Sequence, residues 1–200
     1  MIKTIIFDLG GVYFTSGSGR AAEKIGKKYS VPVKKILDIL KGSLGTDYRT
    51  DRISACVFWK KAKKRLGIKE DNRVLSEIWF DCFTPIKGTV EIVGKLKKKG
   101  YRVLFLSDNV RERVDYLESG YSFIKKFDGG VFSHIAKVRK PTLKIYRLVL
   151  EKASGPAENC VFIDDNPALL KPAQKLGMKT IKFENPGQLK AELKKIKVCI

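Results

Sequence analysis

The stretch KTIIFDLGGVYF, residues 3–14, decides the fold class. An apolar run, Ile5-Ile6-Phe7, leads straight into Asp8, and two glycines separate it from a second apolar trio, Val12-Tyr13-Phe14. A buried strand does not end in a bare carboxylate unless something beside it needs the charge. Two residues further on, Gly10 carries no side chain at all. Both features ask what Asp8 serves.

The same ending recurs along the chain. YRVLFLSDN (101–109) reads as a strand closing on Ser107-Asp108-Asn109, GGVFSH (129–134) as a shorter one closing on Ser133. NCVFIDDNP (159–167) closes on Asp164-Asp165, and GMKTIKFENP (177–186) closes near Glu184. Helical patterns over about 88–99, 110–118, 142–153, 167–176 and 186–197 separate them. Asn166-Pro167 suits an N-cap followed by proline at the first helical position, and Gly100 and Gly177 suit helix stops. Such alternation predicts an α/β fold, a Rossmann-like three-layer α/β/α core on a parallel sheet.

Residues 15–85 break the alternation. They read as helices over about 19–29, 32–41, 53–66 and 72–83, with SGSG (16–19) and Thr84-Pro85 as joints. The expected organisation is a core of residues 1–14 and 86–200 with an inserted helical cap over 15–85. Its aromatics, Phe58, Trp59, Trp79, Phe80 and Phe83, read as packing rather than ligand contacts.

The net charge of +20 invites a nucleic-acid partner. The lysines are spread over helical segments without a recognition motif, so solvated helix faces are the expected reading and nucleic acid is not the expected partner. A basic surface also steers anionic substrates toward a cleft. The cysteines, Cys56, Cys82, Cys160 and Cys199, form no CxxC pair. Together with the lack of a membrane-length apolar run, that suits a soluble, cytoplasmic protein and no membrane partner. The sequence leaves the oligomeric state open.

In an open α/β sheet the carboxyl ends of the strands border the ligand crevice. Asp8, Ser107 and the pair Asp164-Asp165 all fall there. Three carboxylates at one edge repel unless a cation joins them, and a few hard oxygen ligands point to Mg²⁺, which favours phosphate partners. Lys140, before Pro141 at the mouth of a helix, supplies a cation between the Ser and the Asp pair in sequence; the proline suits the first helical position.

Taken in order, these four segments resemble the haloacid dehalogenase superfamily. The resemblance covers residues 1–14 and about 86–200, and the insertion sits where the family's helical cap lies. It implies Asp8 as the nucleophile that becomes an aspartyl phosphate, Ser107 as the hydroxyl on the transferring phosphoryl group, and Lys140 as the neutralising cation. Asp108 and Asn109 accompany Ser107 as phosphate-binding candidates. It further implies a Mg²⁺ site from Asp8, the Gly10 main-chain carbonyl, Asp165 directly and Asp164 directly or through water. A small phosphorylated substrate follows.

One departure stands out. Most phosphatases of the family carry a second Asp, the general acid/base, where this chain has Gly10. A branch of sugar-phosphate phosphatases that it resembles carries the same glycine, consistent with a good leaving group. A base from the cap (Asp47, Asp51, Tyr48 or Arg49), or a weakened or non-catalytic binding protein, are alternatives. So are dehalogenation, which the paired acids disfavour, and action on nucleic-acid ends. His134 reads as a loop residue.

Overall fold

The computed structural model describes residues 1–200. Strand β1 (Thr4–Phe7) is followed by five helices, α1 (Gly17–Tyr29), α2 (Val33–Lys41), α3 (Ser43–Arg49), α4 (Ala55–Leu66) and α5 (Asn72–Phe80). Alternation then sets in with α6 (Lys87–Lys98), β2 (Arg102–Ser107), α7 (Arg111–Tyr121), β3 (Gly130–Phe132), α8 (Ser133–Ala136) and α9 (Leu143–Leu150). It ends with β4 (Cys160–Asp164), α10 (Pro167–Lys175), β5 (Lys179–Lys182) and α11 (Pro186–Lys195).

The five strands form one parallel sheet in the order β3-β2-β1-β4-β5. The first strand in sequence is thus the central one, with Ile6 in register with Leu104 on one side and Phe162 on the other. Those three residues share one core with Tyr146 and Val149 of α9 and Leu170 of α10. Ile5 and Phe7, with Val103, Phe105, Val161 and Ile163, face the opposite core, which Ile92 and Leu96 of α6 and Leu189 of α11 complete. The period-two alternation of a fully buried strand therefore splits one apolar run between two helix layers.

The turn after β1 is tight. Leu9 O accepts from the N–H groups of Tyr13 (2.9 Å) and Phe14 (2.7 Å). Gly11 sits at φ +92°, and a Cβ there would run into the Asp165 carboxylate, so only glycine meets both demands. The chain leaves and returns along paired segments: Thr15 N–H donates to Thr84 O at 2.9 Å and Ile86 N–H to Tyr13 O at 2.8 Å.

Several local expectations change. Residues 43–49, which the sequence leaves outside any helix, form α3; seven residues with one buried apolar i,i+4 pair, Leu44 and Tyr48, are too few to show a period. Pro141 is not the first residue of a helix, because α9 starts at Leu143 with Thr142 as its N-cap. His134 lies in α8, buried and stacked on Phe132, with Nδ1 3.1 Å from Asn109 O, rather than in a loop. Phe58, Trp59, Trp79 and Phe80 pack in the core, whereas Phe83 also faces a cavity. Lys60, Lys64, Lys95, Lys98, Lys190 and Lys194 stand on exposed helix faces. No helix is long and apolar enough to cross a membrane.

Candidate active site

Because β1 lies between β2 and β4, three polar strand ends converge. Asp8 follows β1, and its N–H donates to Ile163 O at 2.8 Å, which ties it to β4. Asp164 closes β4, fully buried, and Asp165 follows it, exposed. Into this group Lys140 extends from the segment between α8 and α9. Its Nζ lies 3.0 Å from Asp8 Oδ1 and 2.7 Å from Asp164 Oδ2, and the side chain is 1% exposed. Asp164 Oδ1 also accepts from the Asn166 N–H at 2.9 Å.

The Lys140 segment is itself clamped. Asp108 Oδ1 accepts from the Lys140 N–H at 3.0 Å, and Asp108 Oδ2 accepts from Arg139 Nε at 3.0 Å. Asp108 therefore meets one guanidinium and one main-chain donor, at the edge of a cavity that it helps to line. Ser107 is buried at the last position of β2 and Asn109 is buried beyond it; neither lines the cavity described next. The Asn109 side-chain oxygen accepts from Arg113 Nε at 2.6 Å.

Above these groups opens a cavity of about 270 Å³. Asp8, Gly10, Asp165 and Lys140 form part of its lining, and so do Lys41, Arg49, Arg113 and Arg139; Phe83 and Leu169 are its two hydrophobic residues. The proposed cap bases are elsewhere. Asp47 pairs with Arg52, Asp51 with Lys137, and Tyr48 donates to Glu112. Of that quartet only Arg49 reaches the cavity, and a guanidinium does not serve as a base at ordinary pH.

Lys41, Arg113 and Arg139 were not anticipated from sequence. Arg113 left a legible signal. In α7 and its N-cap, Val110, Val114 and Leu117 mark the buried stripe, and Arg113 occupies an i+3 place within it. A charged residue in an apolar stripe needs a reason to be there.

The electrostatics favour a further cation. One oxygen from each of Asp8, Asp164 and Asp165 lies within 4.8 Å of the others. Burial pushes Asp8 up to about 8 from 3.8, against the pull of Lys140, and the charges of Asp164 and Asp165 add to the rise. Asp165, exposed as a residue but with its carboxylate set against Gly11 in the cavity lining, is raised by partial desolvation there and then by Asp164. For Lys140, burial favours the neutral form, but Asp8 and Asp164 outweigh it and hold it charged. Two of the three carboxylates share one ammonium and Asp165 has none, and clustered hard oxygens of this kind fit a divalent ion such as Mg²⁺.

A pH test follows from the sign of the Asp8 shift. The folded state holds its proton more tightly than the unfolded chain, so stability present below pH 3.8 is lost as pH climbs toward about 8. A divalent ion that replaces the proton restores it. Mg²⁺ should therefore raise the melting temperature more at pH 8.5 than at pH 5.5; equal shifts in a thermal melt would refute the linkage. Lys140→Met strands two buried carboxylates, and metal-free denaturant melts should show a loss of about 3–5 kcal/mol.

The fold and the acid-and-lysine cluster define an α/β protein with a polar site at the carboxyl edge of its parallel sheet. Residues 2–177 match the family model described as "haloacid dehalogenase-like hydrolase", and the chain belongs to that family. Among its relatives is drimenol cyclase drtB of Aspergillus calidoustus, 36% identical over 204 aligned positions, covering 98% of this chain. The chain spans 37% of that protein and as little as 10% of other curated relatives that it matches. Sesquiterpene phosphatase astK of Aspergillus oryzae is 22% identical, with 98% of this chain and 97% of that protein covered. The HAD family enzyme BT-2542 of Bacteroides thetaiotaomicron, solved with magnesium and inorganic phosphate, superposes with a TM-score of 0.76 at 22% identity. That likeness covers 92% of this chain and 96% of the other, and at such identity it speaks for the fold.

Proposed function

We propose that this hydrolase is a Mg²⁺-dependent phosphohydrolase of small phosphorylated molecules, with residues 15–85 as a cap over the site. The observation that carries the proposal is Lys140 bridging Asp8 and Asp164 beside Asp165 at one wall of a polar cavity. The phosphatase relative and the phosphate-bound relative of the same fold support it.

In this reading an Asp8 carboxylate oxygen attacks phosphorus in line, the bond from phosphorus to the leaving oxygen breaks, and an aspartyl phosphate forms. Lys140 Nζ, held charged between the two carboxylates, orients Asp8 and neutralises the phosphoryl oxygens. The resemblance gives Ser107, one position past the register neighbour of Asp8 on β2 and outside the cavity lining, the hydroxyl that would bind the transferring group. Asp8, Asp165, Asp164 and the Gly10 carbonyl would hold Mg²⁺, which supplies charge neutralisation at the phosphoryl oxygens. Water then attacks the acyl phosphate, releases inorganic phosphate and regenerates Asp8. With Gly10 in place of an acid/base, the leaving oxygen departs with little help, which favours esters of acidic alcohols.

The test is phosphate release from phenyl phosphate with Mg²⁺ and with chelator. Turnover that needs the metal is expected. Absence of turnover in both would instead favour a protein that binds without hydrolysing.

A further inference from the structure

With the phosphohydrolase reading as its starting point for the first anion, we infer that the cavity seats a second anionic group of the same substrate against Arg113, Arg49 and Arg139. The group is a phosphate or a carboxylate, a few bonds from the transferred phosphoryl.

Arg113 carries the argument. It is 3% exposed, yet no carboxylate pairs with it. Nε donates to Asn109 Oδ1, Nη2 reaches Asp108 O only at 3.5 Å, and the buried Nη1 has no partner. The guanidinium lies 4.3 Å from the Phe83 ring centroid and 4.9 Å from that of Trp79, which leaves its edge as the bonding side. A buried charge without a counter-ion is strongly unfavourable.

Its neighbours deepen the deficit. Arg49 is 6% exposed and donates through Nη1 to Leu40 O (2.6 Å) and Gly45 O (3.0 Å), again with no carboxylate. Arg139 is the exception, paired with Asp108 through Nε and donating through Nη1 to Thr46 Oγ1. Burial lowers the pKa of both Arg113 and Arg49, and like charge adds to it, from Arg49 on Arg113 and from Arg139 on Arg49, against a weaker pull from Asp108 on both and from Asp8 on Arg113. All three line the same cavity as Asp8 and Lys140. Asp108, the fourth carboxylate at the cavity, is taken up by Arg139 and the Lys140 N–H, and Asp8, Asp164 and Asp165 serve Lys140 and a divalent ion, so none of them pairs with Arg113 or Arg49. The missing negative charge then has to arrive with the substrate, and guanidinium forks match carboxylate and phosphate oxygens in pairs. A small cavity with two hydrophobic lining residues suits a compact polyanion and not a long apolar chain.

Matched pairs of ligands test this. Asp8→Asn protein with Mg²⁺ is titrated calorimetrically with glycerol 3-phosphate against 3-phosphoglycerate, and against propane-1,3-diol bisphosphate. At least one doubly anionic ligand should bind about tenfold or more tightly than glycerol 3-phosphate. Which one does so tells carboxylate from phosphate. Arg113→Lys, which keeps the charge over the rings but loses the fork, should reduce the preference, and Arg113→Met should abolish it. Equal affinities in the parent overturn the subsite whatever the variants do, even where phenyl phosphate is hydrolysed. A tenfold preference in a protein whose wild type hydrolyses no phosphate ester keeps the subsite and overturns the hydrolase reading instead.

Discussion

Asp8→Asn should lower Mg²⁺-dependent hydrolysis of phenyl phosphate by at least roughly 10³-fold, the scale on which removing a covalent nucleophile acts. The amide is nearly isosteric and leaves Lys140 its 2.7 Å bond to Asp164, so the fold has no reason to suffer. The substitution also removes a carboxyl whose ionisation burial disfavours, and metal-free Asp8→Asn should melt no lower than wild type at pH 8.5, where that carboxyl is mostly ionised. Stopped assays on both proteins, together with acid-quench detection of a phosphorylated chain in wild type alone, decide the matter. A variant that keeps a tenth of the rate would remove Asp8 from the chemistry.

Gly10→Asp is the second large effect, and it runs toward gain. Gly10 does not need a left-handed backbone, and a Cβ there meets its nearest neighbour, Phe83 Cε1, at an ordinary 3.6 Å. The new carboxyl would start from the cavity wall beside Asp8. A positioned acid/base is worth about 10²–10⁴ in rate. The gain should fall on alkyl esters such as glycerol 3-phosphate, whose leaving oxygen needs a proton, and should be small for phenyl phosphate. An equal response from both esters would refute the proposed account of the glycine.

What the sequence makes legible follows from how each signal is carried. Asp8, Ser107 and Asp164-Asp165 stand out because each ends an apolar run, and a parallel sheet turns separate run-ends into neighbours. Lys140 is harder, since one lysine among many is unremarkable until its burial is known. Asp108 is a phosphate candidate only through its place beside Ser107; the structure puts it in the cavity lining with both side-chain oxygens on the Arg139-Lys140 segment, a role that no sequence pattern carries. Asn109 similarly orients Arg113. The acids of α3 and its C-terminal end promised a base and deliver surface pairs, because a short helix without a clear period hides which side faces inward. The guanidinium wall joins Arg49 of α3, Arg113 of α7 and Arg139 of the segment before α9, and no single window of sequence contains it.

The connectors of residues 13–15 and 84–86 run antiparallel, side by side. They are joined by main-chain hydrogen bonds, so the two ends of the excursion over 16–83 stand one rung apart. Closing a loop between fixed, adjacent ends grows only slowly more demanding with its length. If residues 15–85 act as the proposed cap, the rung is an exchange point: helices of another length or origin spliced in there would change which molecules are admitted while the central strand keeps its carboxylate where it is.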